Sequence, residues 1–326
     1  MNVHVSIRTL QSGDYPAWDQ LVHESKDGTV YHESWWLDAV SRLTQTPCVV
    51  YGAYAGSRLI AGVPFCLRRR GPLTIARRPW ATPYANCVFA AGACEDQNMA
   101  ERLLHQVARD CSQVTYTASP FSEAQPMGPA WKVRQRGTFM LDIADTQRVW
   151  SEVVYQLRKK IRKAQRNGLV SAGPCPPDVF YDLYSKTFNR RGITVPFSRS
   201  RFGKFWAQLD AGKRARSCLI VDGNGTHCAA GLALLDNKRA YYALAGTDVD
   251  SSLLPASALL TWEIIKEVAP SCASFDLVGA NIEGVVRFKK QFSPTLVEYA
   301  EATAYRSLPE RLAMLSYGLV RRALRW

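Results

Sequence analysis

The sequence predicts an α/β (α+β) fold made of two similar halves, each a mixed, mostly antiparallel sheet flanked by helices. The 326 residues are long for one hydrophobic core and suit two domains of ordinary size. A hydrophobic content of 47% with 11% aromatic residues excludes global disorder and is enough for substantial cores. The apolar periodicity gives the same order of elements twice: helices, a three-strand meander, a helix and one more strand.

The first half contains a hairpin that Ala55-Gly56-Ser57 closes, followed by a proline-rich stretch that predicts an irregular loop. A hinge near Ile143–Trp150 places the domain boundary, which gives a first domain of residues 1–145. The predicted elements of this half are a strand over Val3–Leu10, helices over Asp14–Val22 and Tyr31–Leu43, hairpin strands over Cys48–Ala55 and Arg58–Arg69, a helix over Glu95–Cys111, and strands over Val114–Thr117 and Trp131–Ile143.

The second half spans residues 146–306, and Asp-Gly-Asn-Gly and Asp-Asn turns separate the strands of its meander. Residues 307–326 form a basic amphipathic helix that either packs on the second domain or lies on an anionic membrane. The other predicted elements are a basic helix over Leu157–Gly168, a strand near Leu169–Ala172, helices over Pro177–Asn189 and Ser198–Leu209, the meander strands Ser217–Asp222, Cys228–Leu235 and Arg239–Ala245, a helix over Pro255–Val268, a strand over Ser274–Val278, a short helix around Phe288, and a strand over Leu296–Ala302.

The cysteines and the N-terminus bear on the compartment. The nine cysteines are scattered, odd in number and free of C-x-x-C pairs, which predicts reduced, mostly buried thiols rather than disulfides or zinc. Five histidines without metal-pair spacing predict no metal site. No run approaches the length of a membrane-spanning helix, and the first residues lack a signal-peptide pattern. We therefore expect a cytoplasmic protein, with contact at the inner face of the membrane as an open alternative.

Nearly all of the net charge of +13 lies in the second half. Residues 1–150 hold 15 Lys and Arg against 13 Asp and Glu, and the remaining residues hold 26 against 15. A half-molecule with this excess attracts polyanions such as nucleic acid, nucleotide-linked sugars or an anionic membrane surface. The same excess also serves solubility, so charge alone decides nothing.

The densest positive charge lies on the predicted basic helix. Its apolar residues Leu157, Ile161 and Ala164 recur at helical spacing, and Asn167-Gly168 ends the helix. The cations on its other faces either form a plain solvated surface or bind an anionic partner such as tRNA. The residues predicted to contact that anion are Arg158, Lys159, Arg162 and Lys163, together with Lys290 from the last short helix.

That last short helix contains the most informative segment of the chain. Phe288 and Phe292 are four residues apart, so both lie on one helix face, with Lys289 beside them. A partly desolvated lysine in this position can hold an anionic group or a transition state. A basic helix that packs through two phenylalanines would have the same pattern, so both interpretations stay open.

The order of the motifs resembles the FemAB-like family of acyltransferases, whose members carry two GNAT folds in tandem. The resemblance covers almost the whole chain, and no single motif is specific. The segments that carry it are His32–Leu37, Leu59–Phe65, the basic helix, Ala229–Leu234, Tyr241–Gly246, Leu259–Ile265, Phe275–Leu277, and Gly284–Phe292 followed by Leu296–Tyr299.

The resemblance implies N-acyl transfer, often of an aminoacyl group from tRNA, to an amine that attacks directly, without a nucleophile on the enzyme. Consistent with this, the sequence has no G-x-S-x-G elbow and no clear Cys/His site. The family's Phe-Lys dipeptide at the donor site corresponds here to Phe288 and Lys289. No cofactor and no metal are implied beyond the co-substrate itself.

The resemblance also implies binding residues for the acceptor, each with a structural alternative. Tyr241 and Tyr242 match acceptor-binding aromatics, although one of two neighbours on a strand faces the core in any case. Arg190 or Arg191 would bind a phosphate or carboxylate through two hydrogen bonds, or would instead stabilise the negative end of a helix dipole. Asp276, on a strand between apolar neighbours, would be a general base for the amine, or would form a hydrogen bond in a turn or at a helix cap.

The acyl donor stays open between aminoacyl-tRNA and acyl-CoA. The stretch Gly246–Ser257 lacks the glycines of a pyrophosphate-binding turn and carries Asp248 and Asp250, which would repel phosphate. This favours aminoacyl-tRNA, with an envelope precursor or a small metabolite as the acceptor. An acyl-CoA-dependent enzyme of polysaccharide or small-molecule biosynthesis is the alternative. A further alternative is an inactive module that binds RNA or a membrane.

Overall fold

The computed structural model describes residues 5–92, 98–122, 130–190, 192–212, 214–248 and 255–323, which form two compact units. The first unit combines Met1–Arg136 with Tyr299–Trp326, and the second is Gly137–Glu298. Each unit is a mixed α/β structure with a mostly antiparallel sheet, so the predicted fold class is confirmed.

In the first unit, the sheet has the strand order β1-β2-β3-β4-β6-β13, and β5 pairs with β3. Helix α3 lies on one face, where Leu103, Leu104 and Val107 join a buried cluster with Val114 and Tyr116. Helix α1 lies on the other face, where Trp18 approaches Gly62 so closely that a Cβ there would be 2.6 Å from its ring. The elements are β1 (Val5–Thr9), α1 (Tyr15–Glu24), α2 (Ser34–Thr44), β2 (Cys48–Ala55), β3 (Arg58–Arg70), β4 (Leu73–Arg77), β5 (Val88–Phe89), α3 (Met99–Asp110), β6 (Gln113–Thr117), the last part of β13 (Thr295–Tyr305) and α10 (Leu308–Ala323).

A disulfide joins Cys48 and Cys66, so the prediction that the thiols are reduced is wrong for this pair. The hairpin register places the two residues directly opposite each other on β2 and β3, with their Cα atoms 4.0 Å apart. Cross-strand neighbours of this kind lie within reach of a disulfide, but their sequence separation of 18 does not reveal the register. The six free cysteines of the described residues are Cys87, Cys111, Cys175, Cys218, Cys228 and Cys272, and all but Cys272 are buried.

The second unit has the strand order β7-β12-β11-β10-β9-β8. Helices α5 and α8 pack on a buried cluster that includes Leu157, Ile161 and Leu260. The elements are β7 (Lys132–Asp142, from Gly137 onwards in this unit), α4 (Thr146–Glu152), α5 (Tyr155–Arg166), β8 (Val170–Ser171), α6 (Pro177–Asn189), α7 (Arg199–Gly212), β9 (Ala215–Val221), β10 (His227–Leu235), β11 (Ala240–Thr247), α8 (Ala256–Val268), β12 (Ser274–Asp276) and α9 (Glu283–Lys289), which a 3-10 turn over Lys290–Phe292 follows.

The division between the units differs from the predicted boundary at residues 145 and 146. Residues 140–142 of β7 pair with β12 and therefore belong to the second unit. Residues 301–305 of β13 pair with β6 in the first unit, although the sequence places them in the second half. The chain thus leaves the first unit within β7 and returns to it within β13.

Helix α10 belongs to the first unit rather than to the second, where one of the two sequence-based alternatives places it. The backbone N–H of Arg306 donates to the carbonyl of Ser112 at 3.2 Å, and the Arg306 guanidinium pairs with Glu310. Within the described ranges, no helix combines the length and the apolar character needed to span a bilayer.

Candidate active site

A cleft of about 250 Å³ opens in the second unit where several helix ends meet the end of strand β11. The wall contains apolar, cationic and hydroxyl-bearing side chains, so it can hold an extended ligand with a charged part. The lining residues are Leu157 and Lys160 of α5, Arg190 after α6, Thr247 and Asp248 at the end of β11, Pro255 to Ala258 at the start of α8, and Phe288 and Gln291.

One wall is fixed by close packing of α6 on β11. A Cβ at Gly246 would lie 2.4 Å from the backbone N of Tyr184, so only glycine fits the strand at this point. At the end of the helix, the Arg190 guanidinium donates to the Thr247 carbonyl at 3.2 Å and to the Thr247 hydroxyl at 2.6 Å. The Thr247 N–H in turn donates to Thr187 Oγ1 at 3.0 Å. These contacts hold Arg190 in the cleft wall.

The floor of the cleft includes the first residues of α8. The N–H groups at a helix start have no partner within the helix, and the helix dipole favours negative charge there. Asp248 also lines the cleft, but its carboxylate pairs with Lys186, which offsets its repulsion of a phosphate. Asp250, the other acidic residue of this stretch in the sequence, lies outside the described residues.

The basic helix α5 borders the cleft through Lys160. Leu157, Ile161 and Ala164 are buried, as their spacing predicts, which leaves the cations on the other faces. Lys160 and Lys163 are exposed, as are the neighbouring Lys159, Arg162 and Arg166. A row of positive charge therefore continues from the cleft along the surface of the second unit.

Two of the predicted anion-binding residues on α5 also have structural contacts. The Arg158 guanidinium donates to the backbone carbonyls of Trp150 and Ser151, which anchors the start of the helix. The Arg162 guanidinium lies 5.7 Å from the centre of the Trp150 ring. The exposed lysines of the helix are therefore better placed than Arg158 to contact a large anion.

Lys289 is buried, and its ammonium is surrounded by backbone carbonyls. Its Nζ donates to the carbonyl of Leu277 at 2.6 Å, to that of Gly279 at 3.3 Å, and also to that of Val278. Val278 has a φ of 52°, an uncommon conformation for a β-branched residue. The ammonium thus holds a strained turn in place, and Lys289 is not among the residues that line the cleft.

Asp276 supports the same turn from the other side. It is fully buried, and its Oδ1 accepts from the Val278 N–H at 2.7 Å and from the Thr138 hydroxyl at 2.5 Å. These contacts match the structural alternative for Asp276, a hydrogen bond in a turn.

The two tyrosines of β11 lie apart from the cleft lining. Tyr241 is fully buried and donates to Asp236 Oδ2 at 2.8 Å. Tyr242 packs on the core, and burial raises the pKa of its hydroxyl. Strand β11 has a bulge next to Tyr242. Two neighbouring residues of β10, Ala233 and Leu232, pair with Tyr242 and Leu244, so Ala243 between them has no partner on β10.

Of the residues predicted for the site, the structure brings Phe288 and Arg190 into the cleft. Arg191 lies outside the described residues, and Lys290 is exposed. Lys160, Thr247, Ser257 and Gln291 also line the cleft but were not predicted as site residues. The spacing of Lys160 from Leu157 and Ile161, at the edge of the buried face of α5, is the one sequence signal that points to it.

The protonation of Lys289 gives a testable pH dependence. Burial lowers the pKa of its ammonium from 10.5 to about 8, and the Asp276 carboxylate acts in the opposite direction. Between these two pH values the unfolded chain binds more protons than the folded chain, so stability rises with pH. We expect the free energy of unfolding of the wild type, relative to Lys289→Met, to increase from about pH 8 to 10.5 in urea titrations. A flat or falling difference would show that the three carbonyls keep the ammonium fully charged.

Comparisons with known proteins identify a matching domain model and similar folds. Residues 151–290 match the model of the acetyltransferase (GNAT) domain. No curated protein matches the sequence. The structure of FemX superposes with a TM-score of 0.65 at 12% identity and covers 94% of this chain and 99% of its own. The C-terminal domain of a putative lysylphosphatidylglycerol synthetase from Agrobacterium fabrum gives 0.60 at 12% identity, covering 95% and 97%.

A tandem GNAT protein from the clavulanic acid biosynthesis pathway superposes with a TM-score of 0.57 at 13% identity, covering 93% of this chain and 99% of its own. All three matches span both units, as the resemblance in the sequence predicts. Residues 151–290 therefore correspond to the acetyltransferase (GNAT) domain, and the chain as a whole has a fold similar to that of FemX and of the tandem GNAT protein.

Proposed function

We propose that this chain transfers an aminoacyl group from aminoacyl-tRNA to an amine, with the acyl end of the donor bound in the cleft of the second unit. The observation that carries the proposal is the continuity between the cleft and the exposed cations of α5, which begins at Lys160. A small donor would fill the cleft alone, whereas a nucleic acid extends beyond it and gains from a row of positive charge.

The reaction needs no nucleophile from the protein. The amine nitrogen of the acceptor attacks the ester carbonyl, a C–N bond forms, and the ester C–O bond to the terminal ribose breaks. The ribose hydroxyl leaves with a proton, and the amine loses one. The protein aligns the two substrates and provides partial positive charge near the developing oxyanion. The start of α8 and the Arg190 guanidinium are the groups in the cleft wall that can supply such charge.

The acceptor in this proposal is an anionic small metabolite or an envelope precursor that carries a free amine. Arg190 is placed to bind its carboxylate or phosphate, because the guanidinium is held by Thr247 and Thr187 at the cleft wall. Phe288 contributes an apolar surface beside it.

Acyl-CoA is the alternative donor, and one observation favours it: the start of α8 lies in the cleft, where a pyrophosphate would be stabilised. The cations of α5 would not contact so small a donor. The two donors therefore differ in whether α5 contributes to binding.

The test combines a donor comparison with a change of charge on α5. Purified protein is given labelled aminoacyl-tRNA or acetyl-CoA with the small-molecule fraction of a cell extract, and the products are analysed by mass. The variant Lys160→Gln/Lys163→Gln is expected to bind tRNA about tenfold more weakly, with a salt slope smaller by about 2. Transfer from tRNA should also fall as salt rises.

The matched control is Lys132→Gln/Arg134→Gln, which removes two exposed cations of the first unit and should leave tRNA binding within about twofold of the wild type. Transfer from acetyl-CoA alone, unaffected by the α5 substitutions, would establish the alternative donor. tRNA binding without transfer from either donor would identify a binding module instead of an enzyme.

A further inference from the structure

The sheet of the first unit carries arginines on the face opposite helix α3. Arg68 and Arg70 of β3 lie on this face, and Arg77 of β4 is the register partner of Cys66 on the same face. Arg68 and Arg77 are exposed, and neither forms an ion pair within the described part of the chain. Arg68 is two residues from Cys66 on β3, and Arg77 on β4 is the register partner of Cys66, so the two arginine side chains are neighbours on one face of the sheet.

These arginines stand near the start of helix α10. Arg68 pairs with Ile75, Ile75 with Gln113, and Gln113 with Tyr305, so the four residues form one row across β3, β4, β6 and β13. The backbones of Arg68 and Tyr305 are three strand spacings apart, a distance of roughly 14 Å. Helix α10 begins three residues after Tyr305, at the same ends of the strands as the turn between β3 and β4.

The first turns of α10 expose apolar side chains at this edge. Leu308 is 65% exposed and Leu312 is 57% exposed, and their spacing of four residues places both on one face of the helix. Exposed leucines at helical spacing beside arginines are typical of helices that lie in the interface of a membrane.

Two acidic groups near this surface are already paired. Glu310 forms an ion pair with Arg306, and Glu301 forms one with Arg136. Arg311 is a further exposed cation on α10. The surface therefore combines net positive charge with exposed leucines. RNA would be attracted by the arginines but would gain nothing from leucines, whereas an anionic bilayer binds both.

We propose that the first unit docks on an anionic membrane through this surface, with Leu308 and Leu312 of α10 inserted at the interface and Arg68, Arg70 and Arg77 against lipid phosphates. The proposal is independent of the donor used in the second unit.

Vesicle sedimentation with the full chain tests the proposal. The wild type is expected to bind phosphatidylcholine vesicles that contain about one-third phosphatidylglycerol, and to bind pure phosphatidylcholine at least about tenfold more weakly. Each cation at such a surface contributes about fivefold, so Arg68→Gln/Arg77→Gln should weaken binding about 30-fold. Leu308→Gln/Leu312→Gln should weaken vesicle binding more than about tenfold, because the variant buries two apolar side chains fewer in the bilayer interface.

Two controls keep the test specific. Ile282→Gln changes a residue of the second unit with the same 57% exposure as Leu312, and Lys160→Gln/Lys163→Gln changes the cations of α5; both should bind vesicles within about twofold of the wild type. Circular dichroism melting checks that each variant is folded. Equal binding to both vesicle types, or loss of binding in the α5 variant alone, would overturn the proposal. So would an Arg68→Gln/Arg77→Gln variant that loses tRNA binding but keeps vesicle binding.

Discussion

Replacing Lys289 by methionine should lower the free energy of unfolding by about 3 kcal/mol, because three backbone carbonyls lose a charged donor inside the protein. The turn at Val278 would lose the group that holds its uncommon backbone conformation. Phe288, the neighbour of Lys289 on α9, lines the cleft, so a shift of this segment also displaces the site. We expect acyl transfer to fall about 100-fold at temperatures where the variant is still folded.

Lys290→Met is the matched control, since Lys290 is the next residue and is exposed. Its effect on stability should stay within about 0.5 kcal/mol, as for most surface substitutions. Urea unfolding measures the stability of both variants, and single-turnover transfer measures the activity. If Lys289→Met were as stable as the wild type but inactive, the ammonium would act directly on the reacting groups. A stable and fully active variant would remove Lys289 from both roles.

The second large effect is expected from Gly246→Ala. The new Cβ would lie 2.4 Å from the Tyr184 nitrogen and 2.5 Å from the Leu183 carbonyl carbon, and backbone atoms in an α-helix cannot turn aside as a side chain can. Helix α6 must therefore move away from β11. We expect a loss of about 3 kcal/mol in the free energy of unfolding, at the upper end of the usual cost of overpacking.

The displacement of α6 should also separate Arg190 from Thr247, so binding of an anionic acceptor should weaken along with stability. Gly284→Ala is the control, because nothing lies within 4 Å of a Cβ there and Gly284 is part of helix α9. That change should stabilise the protein slightly, by up to about 1 kcal/mol. Thermal unfolding followed by circular dichroism distinguishes the two. A Gly246→Ala protein with unchanged stability would show that α6 is not tightly held.

The elements with strong local signals were predicted well from the sequence. Helix α6 was predicted over Pro177–Asn189 and has those bounds, because Pro177 fits its first turn and buried Phe180, Leu183 and Tyr184 set its period. The first hairpin was predicted to within one residue of its end, because a short Gly-containing turn separates two strands.

The elements that depend on distant partners were missed or misplaced. Strand β4 lies in the stretch for which prolines predict a loop, and it is formed by pairing with β3 and with β6, whose residues come about 40 positions later. Helix α4 occupies the predicted hinge, where the Asp145 side chain caps it by accepting from the backbone of Gln147 and Arg148. That capping pattern is present in the sequence and could have been recognised.

The candidate site was predicted only in part, for a related reason. Phe288 and Arg190 came from the family resemblance, and both line the cleft. Lys160, Thr247 and Gln291 belong to three different elements that only the folded chain brings together. The three carbonyls around Lys289 could not be foreseen, because a backbone contact leaves no pattern in the sequence.

The return of the chain to the first unit within β13 has a consequence for biosynthesis. A ribosome makes the chain from its N-terminus, and domains generally fold in that order. Here the first sheet lacks its last strand, β13, until residues 299–305 have left the ribosomal exit tunnel. By then every strand of the second sheet has emerged. The second unit is therefore the first to have its full set of strands, and the nascent first unit keeps an open β edge until residues 299–305 have emerged.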